Sequence, residues 1–575
     1  MVTLSRKGYK KLNILLYMKV LIIGGVAGGA SAAARLRRLD ETAEIILIER
    51  GDYVSYANCG LPYFIGGEIT EKSALAVQTP ETLRMRMNLD VRTGHEALEI
   101  FRDEKKVRIW NIAENTVYEE TYDRLILSTG AEPIRPPLPG ADDPRVFTLR
   151  TIPDTYRIHD FINENNPKRA LVVGGGYIGL EMAENLSKAG LAVTVAEMAD
   201  HVIAPLDADM AGDVHSYIRS RGIELLLGNG VQSIEPAPDS LHVTLARGTA
   251  QADMVLLSIG VKPDTALAKK ADLAVNPRGA ITVDRSMRTS DPNIYAVGDA
   301  VEITQLVGGK PGYIPLAGPA NKQGRIAADS IAGIHREYRG TQGTALIRFF
   351  GMTVGTTGLN ETAAAQAEIS YDKVYLLALS HAGYYPGAEP MNIKVLFEKE
   401  SGRILGAQIA GFGGVDKRLD ILAAAIRHGL DAYDLSELEL GYAPPFSSAK
   451  DPVNMAGFMI QNLLEGRVRQ FHWQQVPELI ERGAQILDVS TPEEFKSGHI
   501  ENSVNIPLDE LRDRLGELNK KEPACIYCRT GQRSYTAGRI LEAHGFTASH
   551  LAGGYRLYAS AALAAQGELA CVRCR

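Results

Sequence analysis

Short apolar runs closed by glycine turns recur along the chain and predict buried strands that feed helices. Residues 18–23 form such a run, followed by a glycine turn at 24–29 and a helix rich in alanine and arginine. A second apolar strand, Glu44 to Glu49, ends in a carboxylate 20 residues past Gly29. The same order returns later: a strand from Arg169 to Val173, a glycine turn, an alanine-rich helix, and a strand ending in Glu197, 18 residues past Gly179. A third pattern begins beyond a linker near Gly466, where a buried strand from Ala524 to Tyr527 runs into Cys528 and a helix starts near Ser534.

Each of the first two units has the order that a dinucleotide needs: glycines admit a pyrophosphate close to the backbone, and a helix N-terminus favours its charge. Gly174, Gly176 and Gly179 satisfy the full G-x-G-x-x-G spacing. The first turn departs from it, because Val26 separates Gly24 and Gly25 from Gly28 and Gly29. Glu49 and Glu197 stand where a carboxylate accepts from ribose hydroxyls, against the plainer reading of a solvated surface glutamate. Glu197 repels a 2′-phosphate, and Met198, Ala199 and Asp200 supply no arginine, so NADH is expected over NADPH. Two dinucleotide folds imply a hydride relay, with flavin and nicotinamide the natural pair.

Cys59 follows the first unit directly, with no second cysteine beside it in Ser55 to Tyr63. A lone thiol must pair with a thiol brought to it. Pro62 suits the first turn of a helix, whose N–H groups are expected to stabilise a Cys59 thiolate; a buried structural cysteine is the alternative.

At 575 residues the chain is expected to hold three or four domains. Its 45% hydrophobic and 23% charged content is that of a globular protein. A net charge of -7 without a long basic run argues against nucleic acid as partner. Five cysteines make no disulfide framework, which points to a reducing cytoplasm. No apolar run reaches a membrane span, and residues 1–17 read as a disordered N-terminal extension rather than a signal peptide.

The chain resembles the glutathione reductase-like flavoprotein disulfide reductases over residues 18 to 460. Ser128 to Pro133 resembles the crossover between the two folds, Leu257 to Pro263 the return, and Thr289 to Asp299 the second flavin motif. That resemblance implies that Gly298 and Asp299 contact FAD. The single cysteine resembles the branch containing coenzyme A disulfide reductase, NADH peroxidase and NADH oxidase. Ser380 to Gly387 and Leu440 to Phe446 resemble segments in which a tyrosine reaches the active site of the opposite subunit. This implies a homodimer, with Tyr384 and Tyr442 in those roles, Tyr385 the fallback for the first, and His381 structural. By the same resemblance Ser55 and Asn58 help hold the pantetheine arm of coenzyme A, and Arg38 either meets its phosphates or lies on a helix surface.

Residues 470 to 560 resemble a single-domain rhodanese, with Cys528 heading a glycine-containing loop whose N–H groups suit an anionic persulfide. Arg529 and Arg533 either neutralise the bound sulfur or are solvated. Ser490 stands where an arginine is usual, which puts a structural ion pair in doubt. Cys525 is expected in the core. Cys525, Cys528, Cys571 and Cys574 form two C-x-x-C pairs, but their separation disfavours zinc, and no metal is expected. The terminal pair instead suits accepting sulfur or resolving a persulfide.

The expected architecture is α/β: two Rossmann-like dinucleotide-binding domains, an α+β dimerisation domain and a C-terminal α/β rhodanese domain. The expected boundaries are 18–149 with 258–335 for FAD, 150–257 for NADH, 336–465 for dimerisation, and 466–575 for the rhodanese domain and tail. The expected activity is NADH-dependent reduction of persulfide, polysulfide and coenzyme A disulfide at Cys59, with sulfur delivered by Cys528. The alternatives are an NADH peroxidase or oxidase using a Cys59 sulfenic acid, and a persulfide carrier or redox sensor.

Overall fold

A computed structural model describes residues 18–566. Residues 1–17 and the Cys571 and Cys574 pair lie outside the described residues. The first apolar run becomes the middle strand, Lys19–Ile23, of a five-stranded parallel sheet. Its neighbours run outward to Arg124–Leu127 and Ile294–Ala296 on one side, and to Glu44–Glu49 and Asp90–Thr93 on the other. Val20, Leu21 and Ile22 are fully buried. A strand covered on both faces needs apolar residues throughout, so it shows no polar alternation. The Ala27–Leu39 helix turns Ala32, Ala33 and Leu36 inward, leaving Arg38 exposed on its surface.

A second five-stranded parallel sheet has Arg169–Val173 in the middle, flanked by Ala192–Ala196 and Met254–Leu257. Each parallel sheet is accompanied by a three-stranded antiparallel one. An antiparallel sheet of five strands follows, with Ile404–Gly411 between Met352–Gly358 and Pro390–Glu398. The Val415–His428 and Pro452–Leu464 helices bury apolar residues in its core. The last sheet is parallel again and centres on Ala524–Tyr527. This is the expected α/β architecture, in which two nucleotide-type sheets, an α+β sheet and a small α/β sheet succeed one another.

One expectation about local structure is corrected. The helix after Cys59 has only five residues, Leu61–Ile65, with Pro62 in its first turn as expected. Cys59 itself sits in the 3-10 turn Asn58–Gly60, and among the described residues no N–H is hydrogen-bonded to its sulfur. So short a helix carries little dipole to favour a thiolate. Burial pushes the Cys59 thiol up instead, and the Glu181 and Asp299 carboxylates push it the same way.

Candidate active site

The two glycine turns share one construction. Gly24 has φ +97, and a Cβ there would overlap the Ser128 carbonyl. Gly25 N–H donates to Glu49 Oε2 at 2.8 Å, while Gly51 N–H donates to Oε1 at 2.9 Å. In the second fold Gly174 has φ +105, and Gly175 N–H donates to Glu197 Oε2 at 2.6 Å. Ala199 N–H donates to Glu197 Oε1 at 2.7 Å. Gly29 and Gly179 each let the helix start press on the carbonyl of the first turn glycine, where a Cβ would collide. Gly28 packs against Ser128 Oγ and Val297, whereas Gly176 faces open space at the start of the Tyr177–Lys188 helix.

One amide of each glycine turn and one two residues past each glutamate therefore orient both carboxylates. Two of roughly four acceptor positions on each are used, which leaves capacity for ribose hydroxyls. The spacing pointed to Glu49 and Glu197 as ribose acceptors; the bonds back to the turn were not visible in it. These turns, with open backbone at Gly176, fit a dinucleotide in each fold.

Cys59 is exposed in the single chain, with the Glu181 and Asp299 carboxylates near enough to act on its thiol. Asn58 is exposed beside it, and Ser55 takes φ +47 with its N–H donating to the Gly25 carbonyl at 2.8 Å. Asp299 follows Gly298, whose N–H donates to Gln323 Oε1 at 2.7 Å. Burial raises the Asp299 carboxyl, and the nearby Arg150 charge partly opposes this.

Glu181 is the residue acting on Cys59 that its sequence position did not single out. It sits in the first half of the Tyr177–Lys188 helix, and burial pushes its carboxyl up to about 7. Tyr63 O–H donates to Glu181 Oε1 at 3.3 Å. A carboxylate two positions past Gly179, on a helix that enters the core, was the available signal.

Tyr384 and Tyr442 are brought together, their hydroxyls 2.8 Å apart. They stand 75% and 48% exposed on the antiparallel-sheet part of the chain, and among the described residues no hydrogen bond joins them to the Cys59 segment. Tyr385 is also exposed, with the His381 ring edge-on to it at 5.7 Å. His381 shapes this loop through Ser380 Oγ at 3.0 Å and the Pro386 carbonyl at 3.2 Å.

Cys528 directly follows the Ala524–Tyr527 strand and is 1% exposed, and its sulfur accepts from Gly531 N–H at 3.2 Å and Ser534 N–H at 3.4 Å. This is the expected cradle at the start of the Gln532–Ala543 helix. Arg533 pairs with Glu494, its Nη2 donating to Oε1 at 2.8 Å and its Nη1 lying 2.7 Å from Oε2, and its charge also acts on Cys528. Arg529 lies over the Tyr555 ring at 5.3 Å. Ser490 is buried with its hydroxyl unpartnered, so no ion pair forms there. Cys525 is buried in the core, as expected.

Among the described residues one carboxylate trio, Asp207, Asp209 and Glu361, is close enough to hold a cation. Lys394 already fills it, with Nζ 2.7, 2.9 and 2.5 Å from the three.

Residues 18–324 match the family described as pyridine nucleotide-disulphide oxidoreductase, and 344–452 match its dimerisation domain. The chain belongs to this family. Residues 472–561 match the rhodanese-like domain. The chain is 35% identical over 447 residues to a coenzyme A disulfide reductase of Staphylococcus haemolyticus, covering 77% of this chain and 100% of that protein. The crystal structure of reduced Bacillus anthracis CoADR-RHD superposes with TM-score 0.93 at 48% identity, over 95% of this chain and 98% of that one. A structure of an NAD-dependent persulfide reductase from A. fulgidus superposes with TM-score 0.88 at 38% identity, over 94% and 100%. The chain is thus an oxidoreductase of this family that works with FAD and a pyridine nucleotide and carries a rhodanese-like domain. Among the described residues no helix is long and apolar enough to cross a membrane.

Proposed function

We propose that this enzyme uses NADH to reduce sulfane sulfur, as persulfide or polysulfide, together with coenzyme A disulfide, in the cytoplasm. The observation that carries this reading is the pairing of two unlike thiols in one chain. Cys59 is exposed beside a dinucleotide fold, and Cys528 is buried in an N–H cradle. The relatives named for coenzyme A disulfide and persulfide reduction support it.

In this reading Gly24, Gly25, Gly28, Gly29, Glu49, Gly298 and Asp299 hold FAD, and Gly174, Gly176, Gly179 and Glu197 hold NADH. Bound FAD supplies Cys59 with two electrons drawn from NADH. The rest of the chemistry belongs to the chain. Cys528 takes sulfane sulfur as a persulfide, which the Gly531 and Ser534 amides stabilise as an anion, and passes that sulfur to the thiol of coenzyme A. Ser55 and Asn58 position the arm of the resulting persulfide. The Cys59 thiolate attacks the sulfur bonded to carbon; the S–S bond breaks, and hydrosulfide leaves with its electron pair. A Cys59 to coenzyme A disulfide remains, and two electrons return it to two thiolates. Coenzyme A disulfide enters the same cycle with a coenzyme A thiolate as the first leaving group.

The domains divide this work as 18–149 with 258–335 for FAD, 150–257 for NADH, 336–465 for dimerisation and 466–575 for sulfur transfer. Tyr384 and Tyr442, exposed in one chain, act in the active site of a second copy, where a phenol protonates the departing thiolate. The dimerisation domain supports that assignment.

Anaerobic NADH oxidation with coenzyme A persulfide or polysulfide tests the reading, with sulfide release assayed alongside. Sulfide equal to NADH consumed, and lost in Cys59→Ser with flavin retained, is expected. Turnover restored only by peroxide or oxygen, with no sulfide, would overturn it in favour of a sulfenic acid cycle.

A further inference from the structure

The rhodanese-like sheet does not hang free of the rest of the chain. Behind Cys528, the Gly554–Gln566 helix begins against the sulfur loop. Tyr555 N–H donates to the Cys528 carbonyl at 2.8 Å, and Arg556 N–H donates to the Arg529 carbonyl at 3.0 Å. Gly554, at φ +68, presses so closely on this loop that a Cβ would lie 2.6 Å from the Cys528 oxygen. The backbone carrying the thiol is thus fixed by the first turn of this helix.

The other side of the same helix lies on the Ala208–Ser220 helix of the second dinucleotide fold. Arg556 Nη2 donates to Asp213 Oδ2 at 2.9 Å, an oxygen that also accepts from Asn392 Nδ2 at 3.4 Å. Gly212 makes room for Ser560, whose hydroxyl a Cβ would overlap. Ala552 and Leu557 are buried in one apolar cluster with Met210, Ala211 and Val214. Asp209, one turn before Asp213, is itself clamped by Lys394 at 2.9 Å and by Tyr375 O–H at 2.5 Å. Arg556 therefore bonds the sulfur loop with its backbone and the nucleotide fold with its side chain.

We propose that Arg556 and Asp213 are positioning residues for Cys528, so that the sulfur-binding loop takes its shape from the second dinucleotide fold of the same chain. The consequence is a loop that opens only when this contact yields. A buried thiol reacts through such openings, so its modification rate reports them. The meaning of the contact for sulfur transfer rests on the function proposed above; its existence does not.

The test uses the full-length FAD-loaded protein and iodoacetamide, with alkylation of Cys528 and Cys59 followed separately by peptide mass spectrometry. Asp213→Arg and Arg556→Asp should each speed Cys528 alkylation, by about threefold or more, and leave Cys59 alkylation and flavin reduction by NADH unchanged. The double exchange should return the Cys528 rate toward that of the parent. His472→Ala, which cuts a different joint to Asp372 at 2.8 Å, serves as control and should leave Cys528 unmoved. Arg556→Gln replaces either single variant that fails to retain flavin.

Unchanged Cys528 rates in the single variants, no recovery in the double exchange, or an equal rise in His472→Ala would each overturn the proposal. Sulfur transfer from thiosulfate to cyanide is measured on the same samples. Its absence in the parent would count against Cys528 as a sulfur carrier while leaving the alkylation result to decide the contact. With a competent parent, a lower kcat at unchanged KM in the single variants, restored by the double exchange, is the expected pattern.

Discussion

Tyr63 and Glu181 meet at 3.3 Å, the phenol donating to the carboxylate, and the contact ties the Cys59 segment to the helix of the second dinucleotide fold. Glu181 is the group there whose charge changes near neutrality, because burial lifts its carboxyl to about 7 from an ordinary 4.5. Its ionised form raises the Cys59 thiol. Glu181→Gln should therefore move the pH profile of Cys59 alkylation to lower pH, with a gain of at most about twofold at pH 7, where the carboxyl is half ionised, and a larger one at pH 8. An unmoved profile would show that the carboxylate does not act on the thiol. Stability carries the same sign. The folded carboxyl holds its proton more tightly than the unfolded one, so this contribution is full below about 4.5 and lost as pH rises through about 7. Urea titrations at pH 5 and pH 8 should differ less in Glu181→Gln than in the parent.

Tyr384 and Tyr442 share one hydrogen bond, so removing either hydroxyl removes it for both. If the pair acts on a leaving thiolate, Tyr384→Phe and Tyr442→Phe should each lower kcat by about a hundredfold. The double variant should be little worse than either single one, since the two then act as a unit. Flavin reduction by NADH, measured in a single turnover, should not change. Equal slowing of that half-reaction would place the tyrosines outside the thiol step.

The sequence carried the elements whose signal is local. The strand, glycine turn, helix and terminal carboxylate around Gly174 and Glu197 lie within a few dozen residues, and Cys528 with its loop lies within seven. What it could not carry were meetings between distant segments. Glu181 joins Cys59 only because the helix after the second turn packs beside the first fold. Arg533 is taken by Glu494 because two separate helices converge on it. Lys394, in the middle of an apolar strand, reads as an anomaly until Asp207, Asp209 and Glu361 surround it. The misjudged case was the helix beside Cys59, where proline and glycine signalled a start but not that the helix ends after five residues.

Glu197 serves two purposes, which makes its replacement informative. Its carboxylate holds the Gly175 and Ala199 amides and, in the proposed function, the ribose of NADH. Glu197→Gln retains one acceptor oxygen but loses the charge, so KM for NADH should rise by about tenfold, while discrimination against NADPH weakens. Glu49→Gln should instead lower FAD retention without altering the preference between NADH and NADPH. The two variants separate the folds by cofactor, using flavin content and the ratio of kcat/KM for the two nicotinamides. A change of nicotinamide preference in Glu49→Gln would reverse the assignment.

Lys394 is fully buried among three carboxylates, which hold its ammonium well above the ordinary lysine range despite burial. The group ties the second dinucleotide fold, through Asp207 and Asp209, to the antiparallel sheet, through Tyr375 and Gln408, and to the Glu361–Gln366 helix beside it. Removing the cation leaves Asp207, Asp209 and Glu361 facing one another, with Lys373 paired to Glu361 alone. Breaking such a group by deleting one partner costs about 3–5 kcal/mol, since the remaining charges stay buried. Lys394→Met should lower the denaturation midpoint accordingly at pH 7. The loss should shrink as the pH falls toward 4, where the uncompensated carboxylates take up protons. A loss that is the same at both pH values would show that packing of the lysine stem, and not its charge, holds the joint.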